Sequence, residues 1–189
     1  EGKDLLYTIT KADFDFPDVS KTGSYRKEEG WIEKHIDQVL AYSMVDIEGI
    51  RNANLKVAVD PVNSTGGIAI PVLLEKLGVK RVEMINGDVS GKFAHNPEPL
   101  KEHLTEISQI VVDRRCDMGI VVDPDVDRLA LISENGEMFG EEYTLVALAD
   151  YYMRNKPGAT VSNLSSSRAL RDVTESAGQS YSASAVGEV

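Results

Sequence analysis

The run Asp117-Met118-Gly119-Ile120-Val121-Val122, followed at once by Asp123-Pro124-Asp125-Val126-Asp127-Arg128, is where the fold of this chain is decided. Its first half is short, almost wholly apolar and β-branched at its end, as expected of a parallel strand covered on both faces. Its second half sets a carboxylate at every second residue. Alternate side chains of an extended segment leave on one face, so a modest curl brings Asp123, Asp125 and Asp127 toward a single point.

Working outward, the same strand and helix periods recur. Leu55 to Val59 reads as a strand ending at Asp60-Pro61, and Gly66-Gly67 opens a helical stretch carrying Ile70, Val72, Leu73, Leu74 and Leu77 to Gly78. Val79 to Ile85 predicts a second strand, Asn86 to Pro99 a polar connection, and Leu100 to Arg115 a helix with Leu104, Ile107, Ile110 and Val111 inward. After the acidic motif, Arg128 to Ser133 and the turn Glu134-Asn135-Gly136-Glu137 predict an antiparallel edge. Tyr143 to Arg154 reads as a helix that ends before Pro157-Gly158. Ala159 to Leu164 and Ser165 to Ala177 then open a new βα unit. Toward the N-terminus, Trp31 to Met44 carries Ile32, Ile36, Val39 and Leu40 on one helical face, with a turn near Gly49. Residues 1–30 keep no period beyond one short strand over Leu5 to Thr10. The expected fold class is α/β: a mixed, mostly parallel sheet with helices on both faces, followed by the first βα unit of a second similar domain. Ligands of such sheets sit outside the carboxyl ends of the strands, where the acidic motif lies.

Composition narrows the function classes. Of 189 residues, 31 are acidic and 20 basic, giving a net charge of -11 that repels polyanions, and no basic stripe reverses it, so no nucleic-acid partner is expected. No apolar run approaches the ~20 residues that span a bilayer, and no signal peptide is recognisable, so no membrane partner is expected. The single cysteine, Cys116, excludes an internal disulfide and fits the cytoplasm; lying just before a buried strand, it reads as an inert core thiol. The start at Glu1-Gly2 and the stop soon after a new helix predict a piece of a longer protein.

Three converging carboxylates need a cation. Unit charges ~6 Å apart repel by roughly 0.7 kcal/mol in water and about four times that at an effective dielectric near 20. All-oxygen ligands suit magnesium, which takes few carboxylates and also coordinates phosphate. An EF-hand calcium loop would use Asp123, Asp125, Asp127 and Glu134, but it needs glycine where Arg128 stands and a helix where a strand precedes. A haloacid-dehalogenase-like phosphotransferase would use Asp123 as nucleophile and Asp125 as acid and base, yet wants Thr or Val in place of Asp127. A non-catalytic cation-binding module, or a solvated acidic turn, are the remaining readings.

Other motifs favour structure over chemistry. Asn63-Ser64-Thr65-Gly66-Gly67 reads as turn and cap rather than a phosphate loop, since it lacks a lysine and the full glycine spacing. Ser165, Ser166 and Ser167, between strand and helix, read as N-capping residues. His95 reads as a loop histidine, and His35 and His103 lie on presumed helices without metal-binding partners.

Taken in order, LKVAVDPVNSTGG, GKFAHNPEP, MGIVVDPDVDR, ENGEMFG and VSNLSSSRAL leading to AVGE resemble the α-D-phosphohexomutases: phosphoglucomutase, phosphomannomutase and phosphoglucosamine mutase. The resemblance covers roughly residues 31–189. It implies a four-domain enzyme, with residues 1–30 as a leading segment, 31–157 as domain II and 158–189 as the start of domain III. It further implies that Asp123, Asp125 and Asp127 bind Mg2+ together with a phosphoserine from domain I. Arg128 would be a catalytic cation beside that phosphate, and the substrate a phosphosugar. Family members more often carry glycine where Pro124 and Val126 stand. The family's phosphoserine loop reads approximately Thr-x-Ser-His-Asn-Pro, and Ala94-His95-Asn96-Pro97 has alanine in the serine's place. The chain alone is therefore expected to be inactive without domains I, III and IV.

Overall fold

A computed structural model of the chain describes residues 2–187 apart from Asp13 and Asp15. It divides into two compact units, Glu1–Trp31 and Ile32–Val189.

The first unit carries helix α1 (Gly2–Lys11) and a single 3-10 turn at Val19–Lys21. The strand expected over Leu5 to Thr10 is helical instead. Its threonines, which suggest β structure by their branching, donate from Oγ1 to carbonyls one turn back, Thr8 to Asp4 at 3.0 Å and Thr10 to Leu6 at 2.7 Å.

The second unit follows the expected alternation, with elements α2 (Trp31–Leu40), α3 (Ile47–Ala53), β1 (Lys56–Asp60), α4 (Gly66–Leu77), β2 (Arg81–Met84), α5 (Thr105–Asp113), β3 (Met118–Val122), β4 (Leu129–Ser133), α6 (Glu141–Asn155), β5 (Thr160–Asn163), α7 (Ala169–Ser176) and β6 (Tyr181–Ser184). α3 replaces the turn expected near Gly49. The Asp46 carboxylate accepts the Gly49 backbone N–H at 2.8 Å, an N-cap that makes a short helix where glycine alone reads as a break. The helix expected over Leu100 to Arg115 begins later: Lys101–His103 form a 3-10 turn and α5 starts at Thr105.

The main sheet has the order β2-β1-β3-β4. β1 runs parallel to both β2 and β3, and β4 returns antiparallel to β3, so the α/β class and the antiparallel edge stand as read. Alternation splits the core between two faces. Val57, Val59 and Val122 pack with Ile70, Leu74 and Val79, which seats α4 on one face. Ala58, Val121, Ala130 and Ile132 pack with Leu104, Ile107 and Val111, which seats α5 on the other. Gly119 allows that approach, because a Cβ there would lie 2.9 Å from Ile132 Cβ and 3.0 Å from Val111 Cγ2. Cys116 is buried in this second cluster, and burial pushes its thiol above the ordinary value.

A smaller parallel pair, β5 and β6, is joined through α7. β6 is a strand the sequence does not announce: Tyr181-Ser182-Ala183-Ser184 offers one large apolar side chain, and its place is set by pairing with β5. No helix among the described residues is long and apolar enough to cross a membrane.

Candidate functional site

β1 and β3 lie side by side, and each ends in Asp-Pro: Asp60-Pro61 and Asp123-Pro124. Both aspartates are buried, Asp60 at 1% and Asp123 at 0% relative exposure. A carboxylate taken so completely from water must be satisfied by donors. For Asp123 the loop provides them. Oδ1 accepts the backbone N–H groups of Asp127 and Arg128, each at 3.0 Å, and Oδ2 accepts Arg128 Nε–H at 2.9 Å. These bonds curl residues 123–128 back on themselves and bring one carboxylate oxygen each from Asp123, Asp125 and Asp127 within 4.8 Å of one another. Asp125 and Asp127 are exposed, so the cluster is rooted in the core on one side and open on the other.

The donor set fits a small hard cation. Oδ1 of Asp123 has both lone pairs engaged, whereas Oδ2 keeps one free beside the Arg128 bond. Three carboxylates crowd beside one guanidinium, an excess of negative charge that a divalent ion offsets. Titration behaviour follows the same crowding. Burial pushes the Asp123 carboxyl up, but donation from the Arg128 backbone and side chain outweighs it and holds the group below the ordinary 3.8. Asp127 is held above that value by its hydrogen bond to Asp123 and by the neighbouring Asp125 and Asp123 charges.

Arg128 is gripped from two sides. Nε–H is bonded to the buried Asp123, and Nη1–H donates to Glu98 Oε1 in the connection between β2 and α5. Glu98 and then Asp123 raise the guanidinium above its already high ordinary value. Asp127 Oδ1 lies 3.6 Å from the same Nε.

The sequence model of the family described as phosphoglucomutase/phosphomannomutase, alpha/beta/alpha domain II, matches residues 33–136, a span that holds the main sheet, the acidic loop and Glu98. The chain belongs to the phosphoglucomutase/phosphomannomutase family. Among its relatives, a phosphoglucomutase/phosphomannomutase of Thermococcus kodakarensis is 33% identical over 179 residues, covering 94% of this chain and 38% of the relative. A phosphopentomutase of the same organism is 31% identical over 147 residues, 74% of this chain and 32% of the relative. A crystal structure of a phosphoglucomutase/phosphomannomutase family protein from Burkholderia thailandensis superposes with a TM-score of 0.79 at 21% identity, over 98% of this chain and 38% of that one, and shares its fold. The chain thus spans about two fifths of the length of the longest-matching of these proteins.

The backbone at Val126 has a visible consequence for the loop. Val126 adopts a φ of 64°, in the left-handed region that glycine enters without penalty and a β-branched residue does not. The strain, about 1–2 kcal/mol, is offset by packing of the Val126 side chain on the cluster of Val57, Val59 and Val122. Val126→Gly trades that packing for relief of strain. Its stability is expected within about 0.5 kcal/mol of wild type, against a loss of about 3 kcal/mol for Val121→Gly in the unstrained strand, measured by urea titration.

Several family landmarks resolve as scaffolding. Ser64 Oγ–H donates to the Pro124 carbonyl at 2.9 Å, so the Asn63–Gly67 turn buttresses the acidic loop. Gly67 sits under the Gly87 carbonyl, 2.5 Å from where a Cβ would lie, which closes this turn to larger side chains. Thr65 holds the cap position of α4 without a side-chain bond. Ser165 and Ser166 both donate to Asn163 Oδ1, through backbone N–H and hydroxyl alike. Of the three serines only Ser167 bonds the helix start, its Oγ accepting Ala169 N–H at 3.3 Å, while Arg168 takes the cap position.

Sequence reasoning passed over three groups. Asp60 accepts Val62 N–H at 3.0 Å, Asn86 Nδ2–H at 3.2 Å and His95 Nε2 at 2.9 Å, so the loop histidine is tied to the end of β1. Asn86 and Glu98 complete the set. The repeated Asp-Pro at two strand ends was the available signal for Asp60. Nothing local marks Glu98 or the partner of His95, whose contacts lie 30 and 35 positions away.

Proposed function

We propose that this chain carries the divalent-cation centre of a phosphohexomutase, an intramolecular phosphotransferase interconverting hexose 6-phosphate and hexose 1-phosphate through a phosphoserine and a bisphosphorylated sugar. The observation that carries the reading is the convergence of Asp123, Asp125 and Asp127 beside a doubly anchored Arg128 at the carboxyl end of β3. Asp123, Asp125 and Asp127 would hold Mg2+, which when bound supplies positive charge to a phosphate oxygen. Arg128 offers its guanidinium as a fixed cationic fork to the same phosphate and to charge developing on the reacting oxygen. The buried Asp123 keeps that fork in place. Catalysis in this reading is positioning and charge neutralisation, with little covalent work for the protein.

The phosphoserine, the sugar-binding groups and the closing phosphate site belong, in this proposal, to domains I, III and IV, and the parent enzyme works in the cytoplasm. Residues 158–189 are read as the opening of domain III. In this proposal the choice of sugar belongs to those other domains, a reading in keeping with the presence of a protein named phosphopentomutase among the relatives.

Label transfer tests the reading. The whole reading frame containing this chain, incubated with magnesium and a hexose bisphosphate labelled in phosphate, is expected to carry label on a serine upstream of Glu1. Label trapped as an acyl phosphate on Asp123 would instead make the protein a haloacid-dehalogenase-like phosphotransferase, and no label at all a non-catalytic cation-binding module.

A further inference from the structure

We infer that Glu98 is a positioning residue for Arg128, holding one arm of its guanidinium so that the remaining amino group is aimed at the phosphate that the acidic loop receives. The inference rests on the mutase reading for its consequence, though not for its geometry.

A guanidinium on an exposed arginine is free to swing about four side-chain torsions, and a swinging cation stabilises a transition state poorly. Arg128 is 52% exposed in its side chain, yet it is bound at two separate nitrogens. Asp123 alone would leave the plane free to pivot about Nε–H. A second bond, from Nη1–H to Glu98, fixes the plane, because two bonds at different nitrogens of a rigid fork define its orientation. Among the described residues Nη2 has no hydrogen bond, which leaves its two N–H groups as the donors to a ligand.

Glu98 is itself held for this purpose. Its backbone N–H donates to Asn96 Oδ1 at 3.1 Å, and its carbonyl accepts Leu100 N–H at 2.8 Å and faces His103 Nδ1 at 2.9 Å. Three residues earlier, His95 is tied to the buried Asp60. The connection that presents Glu98 is thus fastened at both ends. Beside the pair lies a cavity of about 230 Å³ lined by Glu98, Leu100, Arg128, Leu129 and Met138.

The test compares Glu98→Gln and Glu98→Ala with wild type in two readouts. The first is the side-chain 15N–1H spectrum of Arg128 in the full chain, assigned by its loss in Arg128→Lys. Wild type is expected to give distinct, slowly exchanging Nη signals. Glu98→Ala should average Nη1 with Nη2 while the Nε–H bonded to Asp123 stays in place. The second readout is steady-state turnover of a hexose phosphate by the enzyme expressed from the whole reading frame. Glu98→Ala is expected to lower kcat roughly 10- to 100-fold with manganese affinity and Tm unchanged, and Glu98→Gln, whose amide oxygen still accepts from Nη1, to recover most of that loss, a pattern a merely structural residue would not produce. Unaltered Nη signals in Glu98→Ala, or a wild-type kcat in Glu98→Ala where Arg128→Lys is crippled, would overturn the assignment and leave the mutase reading intact. An enzyme that turns over no hexose phosphate at all sinks the mutase reading, and the spectrum still decides whether Glu98 holds Arg128.

Discussion

Asp123→Ala is expected to lower the stability of the chain by about 3 kcal/mol, more than any other substitution in the acidic loop. The reason is burial: Asp123 is fully covered, and its two oxygens accept two backbone N–H groups and Arg128 Nε–H. Alanine leaves those donors unpaired at a strand end and releases the loop from the sheet. For a chain of this size the loss corresponds to roughly 6–12 °C in Tm, readable by calorimetry or by circular dichroism. Asp125→Asn provides the contrast. Asp125 is exposed and surrounded by like charge, so its stability is expected within about 0.5 kcal/mol of wild type. If the two variants melt together, the loop is not rooted through Asp123 and the geometry drawn for it is wrong.

The second large effect belongs to the scaffold. Ile107→Ala is expected to cost about 3–4 kcal/mol, and Ile107→Val about 1 kcal/mol. Ile107 has 0% relative exposure and packs from α5 onto the sheet face formed by Ala58, Val121, Ala130 and Ile132. Gly119 removes the side chain that would hold the helix off, so little slack is left to close around a deleted group. Urea titration should show a lower midpoint with an unchanged slope. A loss under 1 kcal/mol would mean that α5 does not seat as described.

These two expectations differ in how far the sequence alone could have reached them. Ile107 is legible from the spacing of Leu104, Ile107 and Val111, because a helix face repeats locally. The apolar run of β3 and the alternating carboxylates after it are legible for the same reason. Where reading failed, the deciding interaction was either a side chain bonding its own backbone or a partner far along the chain. The threonines of α1 look like strand formers until their hydroxyls are seen to bond back, and Asp46 turns a glycine-marked turn into α3. β6 is made by its pairing with β5 rather than by its composition. In the site, the acidic triad lies within five consecutive residues and reads directly. Glu98 reaches Arg128 across 30 positions and His95 reaches Asp60 across 35, distances over which no periodicity carries information.

The central claim is that the loop from Asp123 to Arg128 is built to receive a divalent cation, and its most direct measurement is a manganese titration of the chain by calorimetry. Wild type is expected to bind one ion. Asp125→Asn, which keeps the fold and the Arg128 grip, is expected to bind at least tenfold more weakly, about 1.4 kcal/mol. Equal affinities in the two proteins would contradict the account.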